Sequence, residues 1–320
     1  MHSGLTPLKL TLFRYRSVFV VYDRNVREFA EKVAGGKPSL PITADEQHKT
    51  MDTVLDICRW LLSQNAGRDA LVLTVGGGVT SDLAGFAACI YKRGVRYANV
   101  PTTLLAMIDA GIGGKTGVNL EGFKNMLGII RQPEFTYICP SVLDTLPERE
   151  LKSGAAELLK TFIIKNSKGC YETALRVLSE PFKAEDYEPL IKAAAKIKGD
   201  IVDKDEFENK ERRVLNLGHT YGHAIEWWQK ENGVARPYTH GEAVAAGIIK
   251  AAQKSEEEGI ADKGLADKLK ADFAWCGLPT TLPCPEDELE AAIRQDKKTE
   301  GGRLNFVFIK RIGKTVVKKI

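Results

Sequence analysis

The chain has 320 residues, enough for two domains, with 43% apolar, 28% charged and 8% aromatic residues and a formal net charge of +4. So small a charge, with no basic stripe interleaved with aromatics, excludes a nucleic-acid binder, and no run approaches the length of a membrane span. Six scattered cysteines with no CxxC pair, and no secretory signal, predict buried free thiols in a reducing cytoplasm rather than a disulfide framework.

The first half alternates short β-branched runs with helical stretches, as βαβ units do. "SVFVVYD" reads as a strand ending at Asp23, and "DALVLTVGGG" as a second ending in glycines. "ANVPTT" and "FTYICP" read as further short strands. Continuous apolar runs of this kind predict a parallel sheet covered on both faces. Beyond about Leu146 the spacing turns helical through "LPERELKSGAAELLKTFII", "PLIKAAAKIKGDIVDKDE", "NLGHTYGHAIEWWQK" and "HGEAVAAGIIKAAQKSEEEG", with a terminal strand at "LNFVFIK". Pro140 and Pro147 punctuate the change. The expected organisation is an α/β, Rossmann-like parallel-sheet domain over 1–146 and a mostly α-helical domain over 147–320.

Four stretches carry chemistry. In "VGGGVTSDLAGF" glycines lie between a strand and a helix, where backbone amides and the helix N-terminus attract a pyrophosphate; the alternative is a tight turn that binds nothing. "GGKTG" has the wrong spacing for a P-loop, which argues against ATP hydrolysis, and with Lys115 and "FKN" it reads as a loop holding anionic oxygens or a solvated loop. Glu157 and Lys160, three apart on one helix face, sit among apolar residues where a carboxylate needs a partner: that lysine, or a metal. His219 and His223 stand at i and i+4, and His240 opens the next helix. With Glu157 they predict a metal site, although spacing alone does not decide which three of the four bind.

Taken in order, "GGGVTSDLAGFAACIYKRGV", "VPTTLLAMIDAGIGGKTGVN", "FKNMLG", "LDTLPERELKSGAAELLK", "DEFENKERRVLNLGHTYGHAIE", "HGEAVAAG" and "DKK" closely resemble the dehydroquinate synthases, sugar-phosphate cyclases of the shikimate pathway. The resemblance implies zinc, or cobalt, on Glu157, His219 and His240, with His223 facing substrate. It places NAD on Asp23, Asn25, Glu46, Lys49, Gly77, Gly78, Val79, Asp82, Thr102, Thr103 and Leu105. It places the substrate on Arg93, Asp109, Lys115, Lys124, Asn125, Lys160, Lys198, Arg212, Asn216, His223 and Lys297. The implied Arg93 reaches a partner subunit's site, hence a homodimer. The implied substrate, 3-deoxy-D-arabino-heptulosonate 7-phosphate, carries a carboxylate and a phosphate that so many lysines and arginines suit. Transient oxidation by NAD, phosphate elimination, re-reduction and intramolecular aldol closure would then give 3-dehydroquinate.

Three departures from the family pattern stand out. The Asp23–Glu46 interval is short, Ala110 and Gly111 replace small hydroxyl residues, and "ENKERR" leaves the carboxylate role open between Arg212 and Arg213. Another sugar-phosphate cyclase or a metal-dependent polyol dehydrogenase are the rival readings.

Overall fold

The apolar runs of the first half form the sheet they predict. In the computed structural model, which describes residues 5–299 and 304–320 and the side chains of 5–293 and 304–320, β1 (Val18–Asp23), β2 (Ser39–Ile42), β3 (Leu71–Gly76) and β4 (Arg96–Pro101) are all parallel, in the order β2-β1-β3-β4. Successive side chains point to opposite faces, and both faces are covered. Val18, Val20, Tyr22, Leu71, Leu73 and Val75 pack with α1 (Thr6–Leu12) and α2 (Arg27–Ala34). Phe19, Val21 and Val72 pack on the other side with α3 (Met51–Ser63) and α4 (Gly78–Ile90).

Two expectations need correction here. "FTYICP" is not a strand: Thr136 makes a single parallel bridge with Asn99. "GGKTG" is not a loop, because Lys115 opens β5 (Lys115–Leu120), which pairs antiparallel with β6 (Phe123–Ile130). Gly117 faces Gly128 across this hairpin, and a Cβ on either would lie 2.5 Å or less from a carbonyl oxygen of the other strand. Those glycines serve close strand approach.

The chain divides into two compact units, Met1–Leu146 and Pro147–Ile320. The second contains α5 (Glu148–Ile164), α6 (Cys170–Ser179), α7 (Ala184–Val202), α8 (His219–Glu231), α9 (His240–Glu257), α10 (Leu265–Trp275) and α11 (Glu286–Thr299). A hairpin of β7 (Asn305–Arg311) and β8 (Lys314–Lys319) completes it. From Ser153 to Ile164 every residue of α5 is buried, so this helix forms the unit's core rather than one amphipathic wall. α8 and α9 both pack closely: a Cβ on Gly247 would lie 2.1 Å from the Gly218 carbonyl oxygen. Among the described residues no helix is long and apolar enough to cross a membrane.

Candidate functional site

Three elements of the second unit converge on Glu157. Thr239 caps α9 through a capping box with Glu242, which fixes His240 as the first residue of that helix. The next residue, Gly241, donates its N–H to Ser153 Oγ at 3.1 Å, and a Cβ there would lie 2.0 Å from the Ser153 carbonyl oxygen. Ser153 is one turn before Glu157 on α5, so this contact delivers His240 to the carboxylate. Gly218, with φ +79°, starts α8 at His219.

The resulting geometry could hold a metal ion. His219 Nε2 is 3.8 Å and His240 Nε2 is 3.4 Å from Glu157 Oε1. One ligand atom from each of the three residues lies within 4.8 Å of the others. The Glu157 side chain is 0% exposed, and neither carboxylate oxygen accepts a well-aligned hydrogen bond. Lys160 Nζ lies 2.5 Å from Oε2 and supplies charge rather than alignment. A buried carboxylate so placed is costly without a further partner. His219 Nδ1 lies 3.2 Å from the Leu217 carbonyl, and His240 Nδ1 lies 3.2 Å from Glu226 Oε1. A proton held at each Nδ1 leaves the two Nε2 lone pairs for a metal. His223 is exposed, with its ring 5.3 Å from that of His219, and is not in this group.

Electrostatics set the three groups apart. Burial would raise the Glu157 carboxyl, but Lys160 and the two imidazoles hold it below the usual carboxylate range. Burial, aided by Lys160, lowers the His219 imidazole and keeps it neutral. Burial would also lower His240, yet the Glu157 and Glu226 carboxylates on either side of it outweigh that and raise it to about 9, so a metal arriving at Nε2 has a proton to displace there.

Other expected substrate residues of this unit lie on α7 and on the 3₁₀ turn before α8. Lys198 and Arg212 are buried, 7% and 2% exposed. Arg212 Nη1 donates to the Glu206 carbonyl at 2.5 Å, whereas Arg213 donates to the Glu208 carbonyl and to Asn305. Asn216 Nδ2 donates to Glu208 Oε1 at 2.6 Å. Asp205 ties this turn together by accepting from the backbone N–H groups of Asn209, Lys210 and Arg212. Lys297 belongs to the segment of α11 outside the described side chains.

The first unit gathers most of the residues expected to hold NAD at the carboxyl ends of its strands. Strand order reverses between β1 and β3, which is where open parallel sheets bind ligands. Asp23 ends β1 and accepts from the Asn25 N–H at 3.0 Å. Gly77 is the N-cap of α4, followed by Gly78, Val79 and Asp82. Thr102 and Thr103 follow β4, and Leu105 precedes a single π-helical turn that contains Asp109. A Cβ on Gly77 would meet Thr103 and one on Gly78 would meet Ala110, each at 3.0 Å. Lys49 Nζ lies 2.6 Å from Asp82 and 2.5 Å from Asn125, and Glu46 accepts from Asn119. Lys115 and Lys124 are exposed on the β5–β6 hairpin. Arg93 is exposed on a positive-φ turn past the C-terminus of α4, about 20 Å of helix away from Gly78.

Glu226, Ser153 and Asn119 escaped the sequence reading. Glu226 is seven residues after His219, hence on the same helical face, and that spacing was its available sign.

The family model for the 3-dehydroquinate synthase N-terminal region matches residues 39–153, and that for the C-terminal region matches 154–299. The chain belongs to the 3-dehydroquinate synthase family. A 3-dehydroquinate synthase of Acidithiobacillus ferrooxidans is 42% identical over 312 residues, covering 94% of this chain and 84% of that relative. Among solved structures, the 2-epi-5-epi-valiolone synthase of Streptomyces hygroscopicus, with NAD+ and Zn2+ bound, aligns with a TM-score of 0.85 at 27% identity, over 96% of this chain and 88% of its own. A 2-deoxy-scyllo-inosose synthase shares the fold at a TM-score of 0.83 and 24% identity, over 99% of this chain and 92% of that one.

Proposed function

We propose that the chain converts 3-deoxy-D-arabino-heptulosonate 7-phosphate into 3-dehydroquinate and phosphate, using NAD and zinc or cobalt. The observation that carries this reading is the Glu157–His219–His240 group within a chain of the 3-dehydroquinate synthase family. Two imidazoles and one carboxylate suit zinc or cobalt and leave coordination positions for substrate oxygens. The glycine cradle at Gly77 and Gly78, beside Thr103 and Ala110 at the strand ends, suits a dinucleotide pyrophosphate. NAD held at Gly77 and Gly78 would supply reversible hydride acceptance at one substrate carbon, and a metal held by Glu157, His219 and His240 would polarise the hydroxyl there.

The protein's own groups bind, orient and move protons. Lys160, beside Glu157, and Asp109 handle the hydroxyl being oxidised. His223 and Asn216 assist at the phosphate, and Lys198 with Arg212 hold the carboxylate; the near-complete burial of those two cations supports an anionic substrate. Lys115, Lys124, Asn125 and Lys297 complete the substrate contacts. The first unit is the NAD-binding domain and the second the metal- and substrate-binding domain. The enzyme works as a cytoplasmic homodimer, with Arg93 serving a second copy: its exposed turn lies at the far end of α4 from the cradle, and six free cysteines suit a reducing compartment.

The fate of NAD tests the reaction. With NAD far below substrate, phosphate and 3-dehydroquinate should form one to one over many turnovers with no net NADH. NADH accumulating in step with product, with phosphate still on the substrate, would make the chain a polyol dehydrogenase.

A further inference from the structure

We propose that Glu226 is a positioning residue for the metal centre, holding His240 so that its Nε2 faces Glu157 and His219. This rests on the metal site proposed above. The Glu226 carboxylate is 3.2 Å from His240 Nδ1, and His240 Nε2 is 3.4 Å from Glu157 Oε1. One imidazole thus runs between two carboxylates, and only one of these, Glu157, belongs to the ligand group. A proton on Nδ1 is held by Glu226, which fixes the tautomer that leaves the Nε2 lone pair for a metal.

The placement explains why a carboxylate occupies a site only 11% exposed. Such burial is unfavourable for an ionised group without a hydrogen-bonding partner, and the His240 ring provides one. The tie also crosses elements. Glu226 lies two turns after His219 on α8 and restrains the first residue of α9, so the two histidine ligands are referenced to the same helix. His240, the most exposed of the three ligands at 35% of its side chain, has most to gain from that restraint. A carboxylate partner also makes the imidazole a better electron donor to the metal than a neutral partner would.

Metal affinity measures this directly, by competition of zinc between the metal-free protein and a chromogenic chelator. Glu226→Ala should weaken zinc roughly 10- to 100-fold, and Glu226→Gln, which keeps an acceptor but no charge, should recover part of the loss. The thermal midpoints of the metal-free proteins should coincide with wild type, because the change acts on ligand aim. Wild-type zinc affinity in Glu226→Ala would overturn the proposal, as would a loss accompanied by unfolding and not reduced in Glu226→Gln. His240→Ala is the control for the site itself: if it binds zinc like wild type, the ligand set is wrong whatever Glu226 does.

Discussion

Glu157 is the residue around which the second unit is arranged: fully buried, 2.5 Å from Lys160 and within 4 Å of two imidazoles. Helical spacing exposed four candidates for a metal, but periodicity cannot separate His219 from His223, because residues four apart share a face. Geometry does. His219 is held by the Leu217 carbonyl and turned toward Glu157, while His223 is exposed. His219→Ala protein should therefore lose its metal, and His223→Ala protein should keep it with turnover reduced roughly 10²- to 10⁴-fold, the usual scale for a lost proton-transfer group. Metal content per chain, measured by mass spectrometry beside initial rates, checks this; equal metal loss in both variants would contradict the ligand set. Glu226 was readable from its spacing too, but a lone charge on a helix more often marks a solvated face.

At the scale of elements, Asp205 organises the turn that carries Arg212 and Asn216. Burial pushes its carboxyl up, but the backbone N–H groups of Arg212, Lys210 and Asn209 outweigh that and leave it below its ordinary value. A group with a depressed folded-state pKa stabilises above its unfolded value near 3.9 and loses that contribution as pH falls through the lower folded value. Asp205→Ala should therefore lower the denaturation midpoint at neutral pH, and the gap to wild type should close below about pH 4. Urea titrations from pH 2 to 7 would show it; a gap independent of pH would rule out the carboxylate as the source. The long periodic segments of the second half were legible as helices because their apolar faces recur over several turns. "GGKTG" was not legible as a strand, since the fact that decides it is a glycine partner at position 128, eleven residues away. β2 was missed for a similar reason: Pro41 masks a four-residue edge strand whose pairing with β1 is non-local.

For the whole molecule, ordered motifs made the family legible, whereas the proposed homodimer rests on Arg93 alone. Arg93→Ala and Lys160→Ala chains, each inactive, should recover about a quarter of wild-type activity after full subunit exchange, because half the dimers are mixed and each has one intact site. No recovery despite demonstrated exchange would confine Arg93 to its own subunit. The parallel sheet of the first unit carries a different consequence. Along one edge, Pro41 of β2 has no N–H to offer, and alternation from the Val20–Pro38 hydrogen bond turns that position outward. Along the other, the segment after β6 occupies β4: Glu134 donates to Tyr97, Asn99 to Phe135 and Tyr137 to Asn99. Among the described residues neither margin presents a run of open donors and acceptors on which a foreign strand can grow, so crowding gives this sheet little template for fibre-like self-association.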